Sequence, residues 1–179
     1  MTQNGSALLQ FASKKLKGDK YVVFAAVKEN GSMLRYASVG LKGDKDVVLA
    51  AVAQYGLVLQ YASDELKGDS DVVYAAVKQD VCALYYASDY VKGDKAFVLA
   101  MVPCDGRALQ FASEELKGDK DVVVAAVKES AGALQFASDE LKGDNDIVSA
   151  AVKQKDAADA FDDATDAAAA AYAELDERI

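Results

Sequence analysis

The chain has 179 residues, 52% of them hydrophobic, with a formal net charge of −9, and is long enough to bury a substantial core. It contains no histidine, which excludes a cysteine–histidine metal site and any catalytic dyad built on imidazole. Residues 156–179 hold eight acidic side chains against Arg178 alone, a charge of −7, leaving −2 on residues 1–155; such a chain lacks the basic face that nucleic-acid binding uses.

No apolar run approaches the roughly 18 residues that cross a bilayer, so any membrane association is expected through a membrane-bound complex. The opening Met1-Thr2-Gln3-Asn4-Gly5 has neither the charged nor the apolar region of a signal peptide. Cys82 and Cys104 are the only cysteines. They read as packing residues of an intracellular protein, cytoplasmic or organellar, with a disulfide between them as the alternative.

Gly-Asp recurs at residues 18–19, 43–44, 68–69, 93–94, 118–119 and 143–144, six copies 25 residues apart. A fixed period in this range marks a repeat array. The first half of each unit, residues 7–17 in the first, carries leucine at 9, 34, 59, 84, 109 and 134 and alanine at 12, 37, 62, 87, 112 and 137. A second leucine follows at 16, 41, 66, 116 and 141, with Val91 in the fourth unit. Spacings of three and four place these on one helical stripe. An aromatic flanks it (Phe11, Tyr36, Tyr61, Tyr86, Phe111, Phe136), and a polar face lies opposite. The pattern predicts an amphipathic helix of about ten residues, ~15 Å long.

Gly18 and its equivalents are expected to end this helix in a left-handed cap. Asp19, Asp44, Asp69, Asp94, Asp119 and Asp144 then stand where the next helix needs an N-cap, with Asp46, Asp71, Asp121 and Asp146 in its first turn. The second half, Val-Val-x-Ala-Ala-Val-Lys, is apolar on nearly every side, the mark of a buried helix. A strand is the rival reading, since valine suits strands and strand-plus-helix repeats of similar length exist. The alanine pairs and the aspartate cap favour helix.

The combination of Ala126-Val127-Lys128, Ala133-Leu134, Ala137-Ser138, Leu141 and Asp144, recurring with the period across residues 5–155, resembles the tandem repeats known as domain of unknown function 4116. The resemblance implies a helical array and carries no catalytic or ligand-binding residue with it. Residues 156–179 lie outside it. They are alanine-rich, with Phe161, Ala168, Tyr172, Leu175 and Ile179 on one stripe. They read as a longer helix capping the end of the stack or docking on another protein. The expected fold is therefore an all-α solenoid of six two-helix repeats over residues 1–155, about twelve short helices, closed by the acidic helix of residues 156–179.

The Asp-x-Asp turns lack the further oxygen ligands and bidentate glutamate of a calcium loop, and helix capping accounts for them. The repeated Ser13, Ser38, Ser63, Ser88, Ser113 and Ser138 have no accompanying base, and small size at a helix crossing is the expected reason for them. The fourth unit departs most from the pattern. It has Val81-Cys82 in the glycine region, Tyr85 for glutamine or arginine, Tyr90 for glutamate, Ala96-Phe97 for Asp-Val, Met101 for alanine and Pro103 for lysine. Pro103 is expected to end or bend its helix.

These departures are either drift with compensating repacking or a contact patch, because tyrosine and arginine are over-represented at binding hot spots. On the second reading Tyr74, Tyr85, Asp89, Tyr90 and Arg107 are the candidate partner-binding residues. The expected function is a non-catalytic protein–protein interaction scaffold or accessory subunit of a multi-subunit complex. No cofactor and no nucleic acid is expected. Small-molecule or pigment binding between helix layers is the alternative and an enzyme the third reading.

Overall fold

The computed structural model describes residues 8–159, and over that span it is an all-α solenoid with no strand. Each unit contributes three helical segments in order. In the second unit they are a 3-10 helix, Gly31–Tyr36, a single capped α-turn, Val39–Lys42, and a longer α-helix, Lys45–Val52. The third unit repeats them as Gly56–Tyr61, Asp64–Lys67 and Ser70–Gln79. The fifth has Gly106–Phe111, Glu114–Lys117 and Lys120–Glu129. The 3-10 helices stack on one another to form one layer and the long helices form the other, each unit touching its sequence neighbours.

The outer half of each unit is thus divided rather than one continuous helix, and the repeated serine causes the division. Ala37 and Ser38 are extended (ψ 154° and 159°), and Ser38 Oγ accepts a 3.4 Å hydrogen bond from the Leu41 N–H. A serine hydroxyl that caps a new turn competes with helix continuation. The extended backbone also frees the serine N–H from its own helix. It donates to the carbonyl of the lysine that ends the preceding unit's turn: Ser38 to Lys17, Ser63 to Lys42, Ser88 to Lys67, Ser113 to Lys92 and Ser138 to Lys117, at 2.8–3.0 Å. Capping and a backbone ladder between units replace the expected role of small size.

The glycine ending each turn departs from expectation too. Gly18 has φ −101° and Gly118 φ −94°, and no residue among those described has positive φ. At Gly68 a Cβ would stand 3.3 Å from Ser88 Oγ of the next unit, whereas at Gly18, Gly43, Gly93 and Gly118 the equivalent serine oxygen lies 3.5–3.9 Å away, ordinary contact. The aspartate caps are as expected. Asp119 Oδ1 accepts from the Asp121 and Val122 N–H groups at 3.0 and 3.2 Å, and Asp19, Asp69 and Asp94 cap alike.

Leu34, Leu59, Leu84 and Leu109 of the 3-10 layer are fully buried, as are Val47, Val48, Ala51 and Val52 of a long helix. The long helices are not enclosed on every side. Val124 and Ala125 are half-buried and Tyr74 is exposed, so one flank of that layer faces solvent. The last long helix runs from 145 to 159 without a break at 156. Whether residues 160–179 cap the stack falls outside the described residues.

Candidate partner-binding site

Two recurring contacts hold the units together; the first is missing between the third and fourth units, and the second loses its glycine in the fourth and sixth. The first is a lysine clamp. Lys20, Lys45, Lys95 and Lys120 open their long helices, and each reaches the N-cap aspartate of the next unit at 2.7–2.8 Å and that unit's second aspartate at 2.9–3.7 Å. The lysine hydrogen bond holds the carboxyls of Asp44, Asp69 and Asp119 below the usual carboxylate range, against a smaller opposing effect of desolvation. The same contact raises Lys45 and Lys95. Between the third and fourth units, Ser70 stands in the lysine position and Ala96 in that of the second aspartate. The two departures therefore belong to one missing interaction.

The second contact is a glycine seat. The glycine opening the 3-10 helices of the second, third and fifth units is pressed onto the long helix of its own unit: a Cβ at Gly106 would lie 2.8 Å from the Ala126 carbonyl oxygen. Gly31 and Gly56 face the Ala51 and Ala76 carbonyls more tightly still. At Gly56 the contact is completed by its N–H, which donates to Gln79 Oε1 at 2.8 Å; Ala131 donates to Gln154 in the same way at 2.9 Å. In the fourth unit Val81 occupies the seat, Met101 replaces the alanine and Cys104 the long glutamine. Its long helix stops at Met101, ahead of Pro103, after 7 residues against 10 in the third and fifth units. It packs less extensively on both neighbours than the second unit's helix does.

The result is a groove of about 310 Å³ where the third and fourth long helices end, with Tyr74, Val81, Met101, Cys104, Asp105 and Arg107 in its lining. Arg107 folds back on Asp105: its Nε lies 3.1 Å from both carboxylate oxygens and Nη2 2.7 Å from Oδ2. The guanidinium keeps Asp105 well ionised, below its ordinary value. Cys82 and Cys104 are free and exposed, with no disulfide between them. Desolvation, then the nearby Asp80 carboxylate, pushes the Cys82 thiol up, away from the thiolate that reacts. Among the described residues no group of acids and cysteines is arranged to hold a metal ion.

Of the five residues singled out in the sequence, the structure brings Tyr74 and Arg107 into this groove. Tyr85, Asp89 and Tyr90 lie outside its lining, on the fourth unit's 3-10 helix Val81–Tyr86 and capped turn Asp89–Lys92. Tyr85 and Tyr90 are 65% and 76% exposed. Tyr85 stands edge-on to Tyr86 with ring centres 5.2 Å apart, and Lys92 Nζ donates to the Tyr85 carbonyl at 2.9 Å. Val81, Met101 and Cys104 each register in the sequence as departures from the repeat. Their convergence on one groove does not, because 25-residue periodicity says nothing of which positions meet.

Stacked units held by capped turns and a backbone ladder define a tandem helical-repeat solenoid. The chain belongs to the family described as domain of unknown function (DUF4116), whose model matches residues 1–42, 44–92, 94–137 and 125–165. The first three matches each span nearly two units. Comparison with curated proteins and with solved structures gives no match. No helix among the described residues is long and apolar enough to cross a membrane.

Proposed function

We propose that the protein is a non-catalytic interaction scaffold, or an accessory subunit of a larger protein assembly, whose partner engages the fourth unit. The observation that carries this reading is the concentration of departures there. Among the described units the lysine clamp is missing only between the third and fourth, where Val81 and Met101 also replace the glycine and alanine of the seat, and that place presents a groove beside Tyr74 and Arg107 and two exposed tyrosines. Exposed aromatics on an otherwise polar surface mark contact sites, and a repeat array supplies a long surface for them.

The test restores the residues other units use. Tyr85→Gln with Tyr90→Glu should leave stability within about 0.5 kcal/mol, as surface changes do. It should weaken capture of the protein that co-purifies with the native chain about thirtyfold, the equivalent of one hot-spot aromatic at ~2 kcal/mol. Undiminished capture refutes the assignment, and a small chromophore or metabolite as the only companion refutes the scaffold reading.

A further inference from the structure

The first unit exposes what other units bury. Leu16 is 45% exposed, where Leu41, Leu66 and Leu116 are 9% or less, and Val22 is 38% exposed, where Val47, Val72 and Val122 are fully buried. With Phe11, 81% exposed, they line a recess of about 500 Å³ floored by Leu9 and Ala26. Its chemistry is also singular in charge. Exposed Lys14 and Lys15 take the place of Asp64-Glu65, Glu114-Glu115 and Asp139-Glu140. This end of the solenoid is thus an apolar recess with Glu29 in its lining and two exposed lysines adjoining Leu16 in the sequence.

We propose that this recess receives residues 160–179 of a second copy of the chain. That segment places Phe161, Ala168, Tyr172, Leu175 and Ile179 at helical spacing, and carries Asp162, Asp163, Asp166, Glu174, Asp176 and Glu177 against Arg178 alone. An amphipathic segment laid into an apolar groove is a recurrent mode of recognition, and here the exposed Lys14 and Lys15 next to the recess are opposite in charge to the segment, with Glu29 the one acid among the described residues of the lining. Residues 1–7 are short and mostly polar. A second copy's first unit would set lysine against lysine. Stacking a last unit on a first would forgo the clamp, because Tyr21 replaces the second aspartate and Asn145 the lysine. The last long helix also continues to 159, beyond the point equivalent to Glu29, Gln79 and Glu129, where the first, third and fifth end.

The contact is between copies because of reach. Adopting the helix its apolar spacing suits, a twenty-residue segment would span about 30 Å. The recess lies five units from the segment's origin, some 40–50 Å at ~8–10 Å per packed helix.

The test uses the full chain and light scattering across the micromolar range. The wild type should show mass above the monomer, lost as salt is raised toward ~1 M, where charges are screened beyond about 3 Å. Lys14→Glu/Lys15→Glu and, separately, Asp162→Lys/Asp163→Lys should each weaken association by about tenfold or more. An equimolar mixture of the two reversed chains should associate again. Leu16→Glu should dissociate the wild type without lowering its melting temperature. A wild type that stays monomeric, or reversed chains that associate as well as the wild type or fail to recover when mixed, overturns the proposal. The Tyr85→Gln/Tyr90→Glu chain should self-associate normally, so that failure here and failure of the scaffold reading are separable.

Discussion

The glycine seat gives a sharp test of how the array is spaced. In Gly56→Ala the new Cβ is driven into the Ala76 carbonyl oxygen and lies 3.2 Å from the Ala76 carbonyl carbon and the Asp80 nitrogen. All three are backbone atoms of the long helix or its cap, so no side chain can rotate away. Relief requires the 3-10 helix to shift; the bond from the Gly56 N–H to Gln79 can survive this, since Ala131 in the sixth unit's seat keeps the equivalent bond to Gln154 at 2.9 Å. Overpacking of this kind costs about 1–3 kcal/mol. The lower entropy of the unfolded alanine chain returns only about 0.4–1. The net loss should be about 0.5–2.5 kcal/mol, read as a fall in denaturant midpoint and roughly 2–4 °C of melting temperature per kcal/mol. Gly40→Ala is the control: nothing lies within 4 Å of its Cβ position, and it sits inside the helical turn Val39–Lys42. That change should stabilise by about 0.5–1 kcal/mol. If Gly56→Ala is neutral, or moves with Gly40→Ala, the seat does not set the packing.

The aspartate turns should separate by role: Asp119→Ala should cost about 0.5–2 kcal/mol as a lost N-cap. Asp121→Ala, which leaves the cap and removes one arm of the Lys95 clamp, should cost less, about 0.3–1, and equal negligible effects in chemical denaturation would refute both roles. The clamp also has a pH signature. Lys95 holds the Asp119 carboxyl below 3.8, so its contribution is present above that value and is lost as pH falls through the depressed folded value. Lys95 is itself raised above 10.5, so the contribution fades again as pH climbs past that point. The stability difference between wild type and Lys95→Met should be constant from pH 5 to 9 and shrink at both extremes; an unchanging difference at low pH would show that the pair does not couple.

The all-α class, the period and the aspartate caps were legible in the sequence because each rests on local rules: spacing of three and four, a capping residue and the dipole of a first turn. The division of the outer half was not. Leu34, Ala37 and Leu41 fit one helix or two equally well, and only the bond from the Ser38 N–H to the preceding unit decides between them. The left-handed glycine failed because the turn closes with ordinary φ at every described glycine and hands its chain straight to the aspartate cap. The clamp was half legible: Ser70 and Ala96 are separate irregularities in the sequence, and become one event only when consecutive units are stacked. Tyr74 and Arg107 stand 33 positions apart and share a groove only because two helices end there.

Site-specific photo-crosslinking tests the central claim most directly. A photoreactive phenylalanine placed at Tyr74 and at Tyr85, in the native setting, should yield adducts to one partner protein. The same group at the equivalent fifth-unit positions, Val124 and Gln110, should yield little. Adducts of equal yield at both units, or adducts only at the fifth, would contradict a partner seated on the fourth unit.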